Sequence, residues 1–178
     1  AVNARAFGAY VDFSENTAGL MAQLRLSFYP NVDFGFQGGL SRLDLGNSTK
    51  TTLRLGSDLR IGVTRAGERS PVDVAAGGAL GVETSDNYTS LRLGPSVVAS
   101  RALPLGGDAA IVPYVGAMLC FANVSVDGES ETDFSAPVRL GGELRAIPGV
   151  RITAEFQLRL GDDFDDDVAF AAGANLPF

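Results

Sequence analysis

The feature that most constrains this chain is an alternation of apolar and polar residues with a period of two, recurring in ten stretches. It is clearest in Arg151–Leu160, RITAEFQLRL. There Ile152, Ala154, Phe156, Leu158 and Leu160 share one frame, and Arg151, Thr153, Glu155, Gln157 and Arg159 share the other. Side chains on a strand point to alternate faces, so the stretch has one greasy face and one charged face. The last run, Val168–Phe178, repeats the pattern with Val168, Phe170, Ala172, Ala174, Leu176 and Phe178 in frame.

Eight further stretches read the same way: Ala4–Phe13, Ala18–Phe28, Val32–Leu43, Thr51–Thr64, Val72–Thr84, Thr89–Arg101, Ala109–Val126 and Phe134–Arg145. The frame blurs at Gly38-Gly39, where a β-bulge is expected. No stretch has a helical period. The connections alternate in kind. YPN, RAGERSP, ALPLGGD and IPG contain proline, and most of them are compact. SENT, DLGNSTK, SDNY, DGESETD and GDDFDDD are polar, mostly acidic and lack proline. In an up-and-down meander these two sets lie at opposite ends. The predicted fold is all-β: one up-and-down antiparallel closed barrel over residues 1–178, of about ten strands with eight as the alternative. Short proline turns lie at one end and acidic loops at the other.

Composition removes several functions. The net charge is −7, from 14 Lys and Arg against 21 Asp and Glu, which argues against nucleic acid as a partner. Hydrophobic residues make up 46%, yet no apolar run reaches the ~20 residues of a membrane-spanning helix. There is no histidine, so Asp–His and Ser–His chemistry is absent. The single cysteine, Cys120, reads as a small buried hydrophobe, and Lys50, beside Ser48 and Thr49, as part of a polar turn. The expectation is a protein that is not an enzyme and has no cofactor. The opening AVNARAFG lacks a basic n-region and an apolar h-region, so any secretory leader is expected to have been removed.

A barrel of this pattern has two solutions, with the apolar frame inward around a ligand or outward against lipid. The polar frame here is Arg, Gln, Asp, Gly, Ala and Ser, and Lys50 is the one lysine in the chain. Small residues beside arginine–carboxylate pairs suit a crowded interior, where the guanidinium fork makes paired hydrogen bonds. Runs of about ten residues match tilted strands crossing ~25–30 Å of hydrocarbon. The outward assignment is therefore expected. Phe28, Tyr29, Tyr88, Phe134, Phe164 and Phe178 would supply thin aromatic girdles. The alternative is a soluble or self-assembling extracellular barrel, either carrying an apolar ligand or stacking through its oppositely charged ends into a filament or lattice.

On these strands and turns the chain resembles the small Gram-negative outer-membrane β-barrels of the OmpX, OmpA and OmpW type. Its most specific element is the alternating final strand ending in Phe178, which is similar to the signal read by the outer-membrane assembly machinery. The resemblance implies a protein of the bacterial outer membrane, with the lipid bilayer, lipopolysaccharide and the assembly machinery as partners, and is compatible with homo-oligomers. It implies a structural or surface role, or that of a narrow pore.

The polar frame supplies the candidate lumen residues Arg25, Arg54, Asp58, Arg60, Arg92, Arg139, Glu143, Glu155 and Arg159, with Arg5 and Gln157 beside them. They read either as a selectivity ring or as a self-paired polar plug. The small bore of about ten strands favours the plug. Asp162, Asp163, Asp165, Asp166 and Asp167 form a loop to which Ca²⁺ or Mg²⁺ could bind, but without the glycine and ordered spacing of an EF-hand.

Overall fold

The computed structural model describes residues 5–44, 49–67, 70–160 and 168–178, except the side chains of Arg159 and Leu160. Twelve extended segments follow one another: β1 (Ala6–Ser14), β2 (Thr17–Tyr29), β3 (Val32–Asp44), β4 (Thr49–Thr64), β5 (Asp73–Ser85), β6 (Tyr88–Ser100), β7 (Leu103–Gly106), β8 (Ala109–Met118), β9 (Cys120–Val126), β10 (Glu129–Ile147), β11 (Val150–Leu160) and β12 (Val168–Pro177). All pairings are antiparallel. β1 pairs with β12 from Ala6↔Pro177 to Ser14↔Ala169, which closes the sheet and leaves the barrel without a free edge.

The twelve segments make ten barrel strands. β8 and β9 share one register against β10, with Val138↔Ala117 continued by Ser135↔Cys120. They also share one register against β6. Ala109–Val126 is therefore a single strand, as its alternation predicts, interrupted at Leu119. β7 continues the line of β6 in the same way: the Arg101 amide donates to the Pro113 carbonyl, and Leu103 then faces Ile111. At the interruption the backbones of β6 and β9 approach closely. A Cβ on Gly94 would collide with the Leu119 carbonyl oxygen, so only glycine fits there.

The apolar frame faces outward. Leu20, Leu40, Leu55, Phe121, Leu140 and Phe156 are all exposed, with Leu20 62% and Leu40 56% accessible. Among the described residues the buried apolar set is small: Ala6, Met21, Val112, Cys120 and Ala122. The buried polar set is larger: Arg25, Asp33, Ser41, Thr52, Glu83, Ser90 and Ser135. A sheet with this distribution is stable where its outer face meets hydrocarbon and its polar groups are satisfied inside. The apolar-ligand carrier, which needs the greasy frame inward, is excluded by this orientation. Aromatic pairs mark the wall: Phe28–Phe34 near the proline turns, and Phe121–Phe134 and Phe156–Phe170 toward the other end.

Four local expectations change. Gly38-Gly39 carries no bulge, since the registers of β3 with β2 and β4 run through both residues without a shift. DGESETD is not a loop. Asp127 and Gly128 both have positive φ (52° and 91°), the geometry of a tight hairpin turn, and β10 resumes at Glu129. Lys50 lies on β4 rather than in a turn, and its ammonium donates to the Asp86 carbonyl at 3.1 Å. Tyr88 falls in the inward frame of β6, not on a girdle. Phe164 and the acidic stretch Asp162, Asp163, Asp165, Asp166 and Asp167 lie outside the described residues.

Candidate functional site

The inward frames of the strands enclose an elongated cavity of about 510 Å³. Its lining runs from Ser14, Thr17 and Asp133 near the acidic loops to Ser100, Arg151 and Asn175 near the proline turns. Of the residues picked from the sequence, Arg25, Arg54, Asp58, Arg60, Arg92, Arg139, Glu143 and Glu155 line it. Arg159 sits on β11, and its side chain is outside the described set. Phe178 points outward at the turn end and its amide donates to the Arg5 carbonyl. The Arg5 guanidinium reaches the Ser27 carbonyl.

The strand period places these groups. On β4 the even positions face inward, so Thr52, Arg54, Asp58 and Arg60 stack along one wall. Antiparallel neighbours then bring partners to the same height. Arg25 on β2 donates through Nη1 and Nη2 to both Asp58 oxygens, at 3.0 and 2.9 Å, the forked geometry of a guanidinium on a carboxylate. Arg60 Nε lies 3.2 Å from the same Asp58 Oδ2. One carboxylate therefore serves two guanidiniums.

Nearer the acidic loops Arg54 takes the opposite role. Its Nη1 donates to Asp12 Oδ2 at 2.5 Å, and its Nε lies 3.7 Å from Glu83 Oε2. Glu83 Oε1 also accepts from Thr52 Oγ1 at 2.6 Å and Ser41 Oγ at 3.0 Å. The two hydroxyls are themselves 2.6 Å apart. Thr52 is wholly buried, so this cluster is a satisfied polar seam behind the cavity wall. Sequence reading missed Ser41, Thr52 and Glu83 as a group. The clue was present, because all three fall in the inward frame on neighbouring strands, but the register that aligns them is tertiary information.

The far wall is sparser. Tyr114 donates its hydroxyl to Glu155 Oε2 at 2.9 Å, and Arg139 Nε lies 4.0 Å from Glu155 Oε1. Arg145 donates to Glu143, two residues away on the same strand, at 2.7 Å. Near the middle Tyr10 donates to Gln37 Oε1 at 2.7 Å. Arg92 and Arg151 make no ion pair among the described residues. The cross-strand neighbours of Arg92 are Gly81 and Ala122, which offer no partner side chain. Asp12 Oδ1 and Ser90 Oγ are buried without a partner among the described residues, and both residues line the cavity.

No protein-family model matches the chain, and no curated protein matches it in sequence. Solved structures do match in shape. The β domain of the Bordetella autotransporter BrkA superimposes with a TM-score of 0.56 at 11% identity, covering 100% of both chains. LpxR from Salmonella typhimurium superimposes with a TM-score of 0.52 at 9% identity, covering 97% of this chain and 100% of its own.

These likenesses correct the expectation that the protein is not an enzyme. Enzymatic outer-membrane barrels are built on the same architecture, so a barrel of this kind is no argument against catalysis. Lack of histidine removes particular mechanisms, not enzymatic activity as such. Closure of ten antiparallel strands, an apolar outer wall, a polar interior and these two superpositions make the chain a β-barrel of the bacterial outer-membrane fold.

Proposed function

We propose that the barrel is a narrow, water-filled passage through the outer membrane with a charged lumen. One observation carries this reading. Each hydrogen bond and ion pair described among the lumen side chains joins strands no more than three apart around the ring. The longest reach is Arg54 on β4 to Asp12 on β1. In a ring of ten strands the opposite wall lies five strands away. The polar network therefore coats the wall instead of bridging the bore, where a plug would need contacts across it. The end-to-end lining of the cavity supports the same reading.

The test is single-channel recording on the full chain, refolded in detergent and inserted in a planar lipid bilayer. Discrete, reproducible conductance steps in KCl are expected, small because the bore is narrow. A bilayer that stays silent although the protein is inserted and folded by circular dichroism overturns the passage and returns the lumen to a plug.

A further inference from the structure

The passage reading says nothing about which ions it passes, and the side-chain exposures in the lumen bear on that. Lining carboxylates and arginines are close to balanced in number, yet they are not equally presented. In the Arg60–Asp58 pair the arginine side chain is 34% accessible and the aspartate side chain 20%. In Arg139–Glu155 the values are 40% and 22%, and Arg54 and Arg145 likewise exceed their acidic partners. Only Arg25, the most buried, reverses the order.

Donor capacity points the same way. A guanidinium has five N–H donors, and a carboxylate accepts through two oxygens. Asp58 is shared by two arginines, and Glu83 and Glu155 each accept from hydroxyl groups as well as facing an arginine. The acids are thus occupied and set back. Arg60 and Arg139 each have one contact to a carboxylate and hold spare donors, on strands four apart around the ring. Arg92 has all its donors uncommitted among the described residues. Asp133, at the loop-side mouth, is the lining acid that makes no ion pair among the described residues.

We infer that the lumen is selective for small anions, with Arg60, Arg92 and Arg139 as the groups that meet the ion. Planar guanidinium forks match carboxylate and phosphate oxygens and attract chloride by charge. This inference rests on the passage reading. Carboxylates at the loop-side end, such as Asp127 and Asp133, oppose it at low salt only, because at about 1 M ionic strength the Debye length is ~3 Å and their charges are screened from the bore.

The experiment measures the zero-current potential of the refolded full chain in a planar bilayer across a concentrated KCl gradient. The expected sign is that of chloride permeating several-fold better than potassium. The double variant Arg92→Gln/Arg139→Gln, with its fold checked by circular dichroism, is expected to move the potential toward the potassium side. Arg139→Lys is expected to keep the wild-type sign. A wild-type channel that conducts with no preference, or prefers potassium, overturns the anion selectivity and leaves the passage standing. A wild-type preference that the double variant does not move overturns the assignment to these arginines. Absence of any current overturns the passage and the selectivity together. The wild-type sign needs no variant, so a variant that fails to fold leaves the test intact.

Discussion

Two walls of the same lumen are built from the same residue types and behave differently. On the β1–β5 wall, arginine and carboxylate alternate at heights where register brings them together, giving Arg25–Asp58–Arg60 and Arg54–Asp12–Glu83, the latter backed by Ser41 and Thr52. On the other half of the ring Arg139 and Arg145 still have Glu155 and Glu143, but Arg92 on β6 stands between Gly81 and Ala122 without a counter-charge among the described residues. The first wall is held by paired charges. Close backbone approach at glycine occurs on both, at Gly39 and Gly77 as at Gly94, so what sets the second apart is the small side chains beside Arg92. Arg25 and Arg54 are tied to carboxylates and structural, whereas Arg92 is available to solute, and the difference lies in the neighbours, not in the residue.

That contrast can be broken most sharply at Asp58. Replacing it with alanine leaves Arg25 and Arg60 facing each other without their shared carboxylate, and Arg25 is buried. Loss of one partner from a buried pair is expected to cost about 3 kcal/mol. Urea unfolding in lipid vesicles, followed by circular dichroism since the chain has no tryptophan, would show it. A cost below about 1 kcal/mol would mean that solvent in the bore already screens the pair.

Next comes Thr52→Val. The isostere removes a donor from Glu83 and a partner from Ser41 in a fully buried seam, at an expected cost of about 2 kcal/mol by the same unfolding measurement. On the other wall, Gly94→Ala places a Cβ against the Leu119 carbonyl, and is expected to cost about 1–2 kcal/mol through displacement of β9. Equal unfolding midpoints for Gly94→Ala and wild type would show that the strands at Gly94 part without cost. The smallest effect is expected at Arg92→Gln, within about 0.5 kcal/mol, because no ion pair is lost. A large loss of stability there would make Arg92 structural after all and erase the difference between the walls.

Much of this was legible in the residues. Period-two alternation named the ten strands, and the two kinds of connection named the two ends of the barrel. Boundaries failed where a tight turn was hidden in polar sequence: DGESETD reads as seven loop residues, yet Asp127-Gly128 alone completes the hairpin. The bulge expected at Gly38-Gly39 failed for a related reason. Glycine has no side chain to declare a face, so a blurred frame is indistinguishable from a shifted one until the partner strands are seen. The candidate arginines lie where their frame puts them, but which of them are paired could not be read from spacing along one strand.

What the sequence determined by itself is which face each side chain takes, because the extended backbone imposes that alternation locally and lipid outside a barrel selects between the two faces. Only the tertiary structure decided who meets whom across the sheet. Arg54 finds Asp12 at a separation of 42 residues, and Arg25 finds Asp58 at 33. Those encounters depend on the stagger between strands, a property of the closed ring that no single strand encodes.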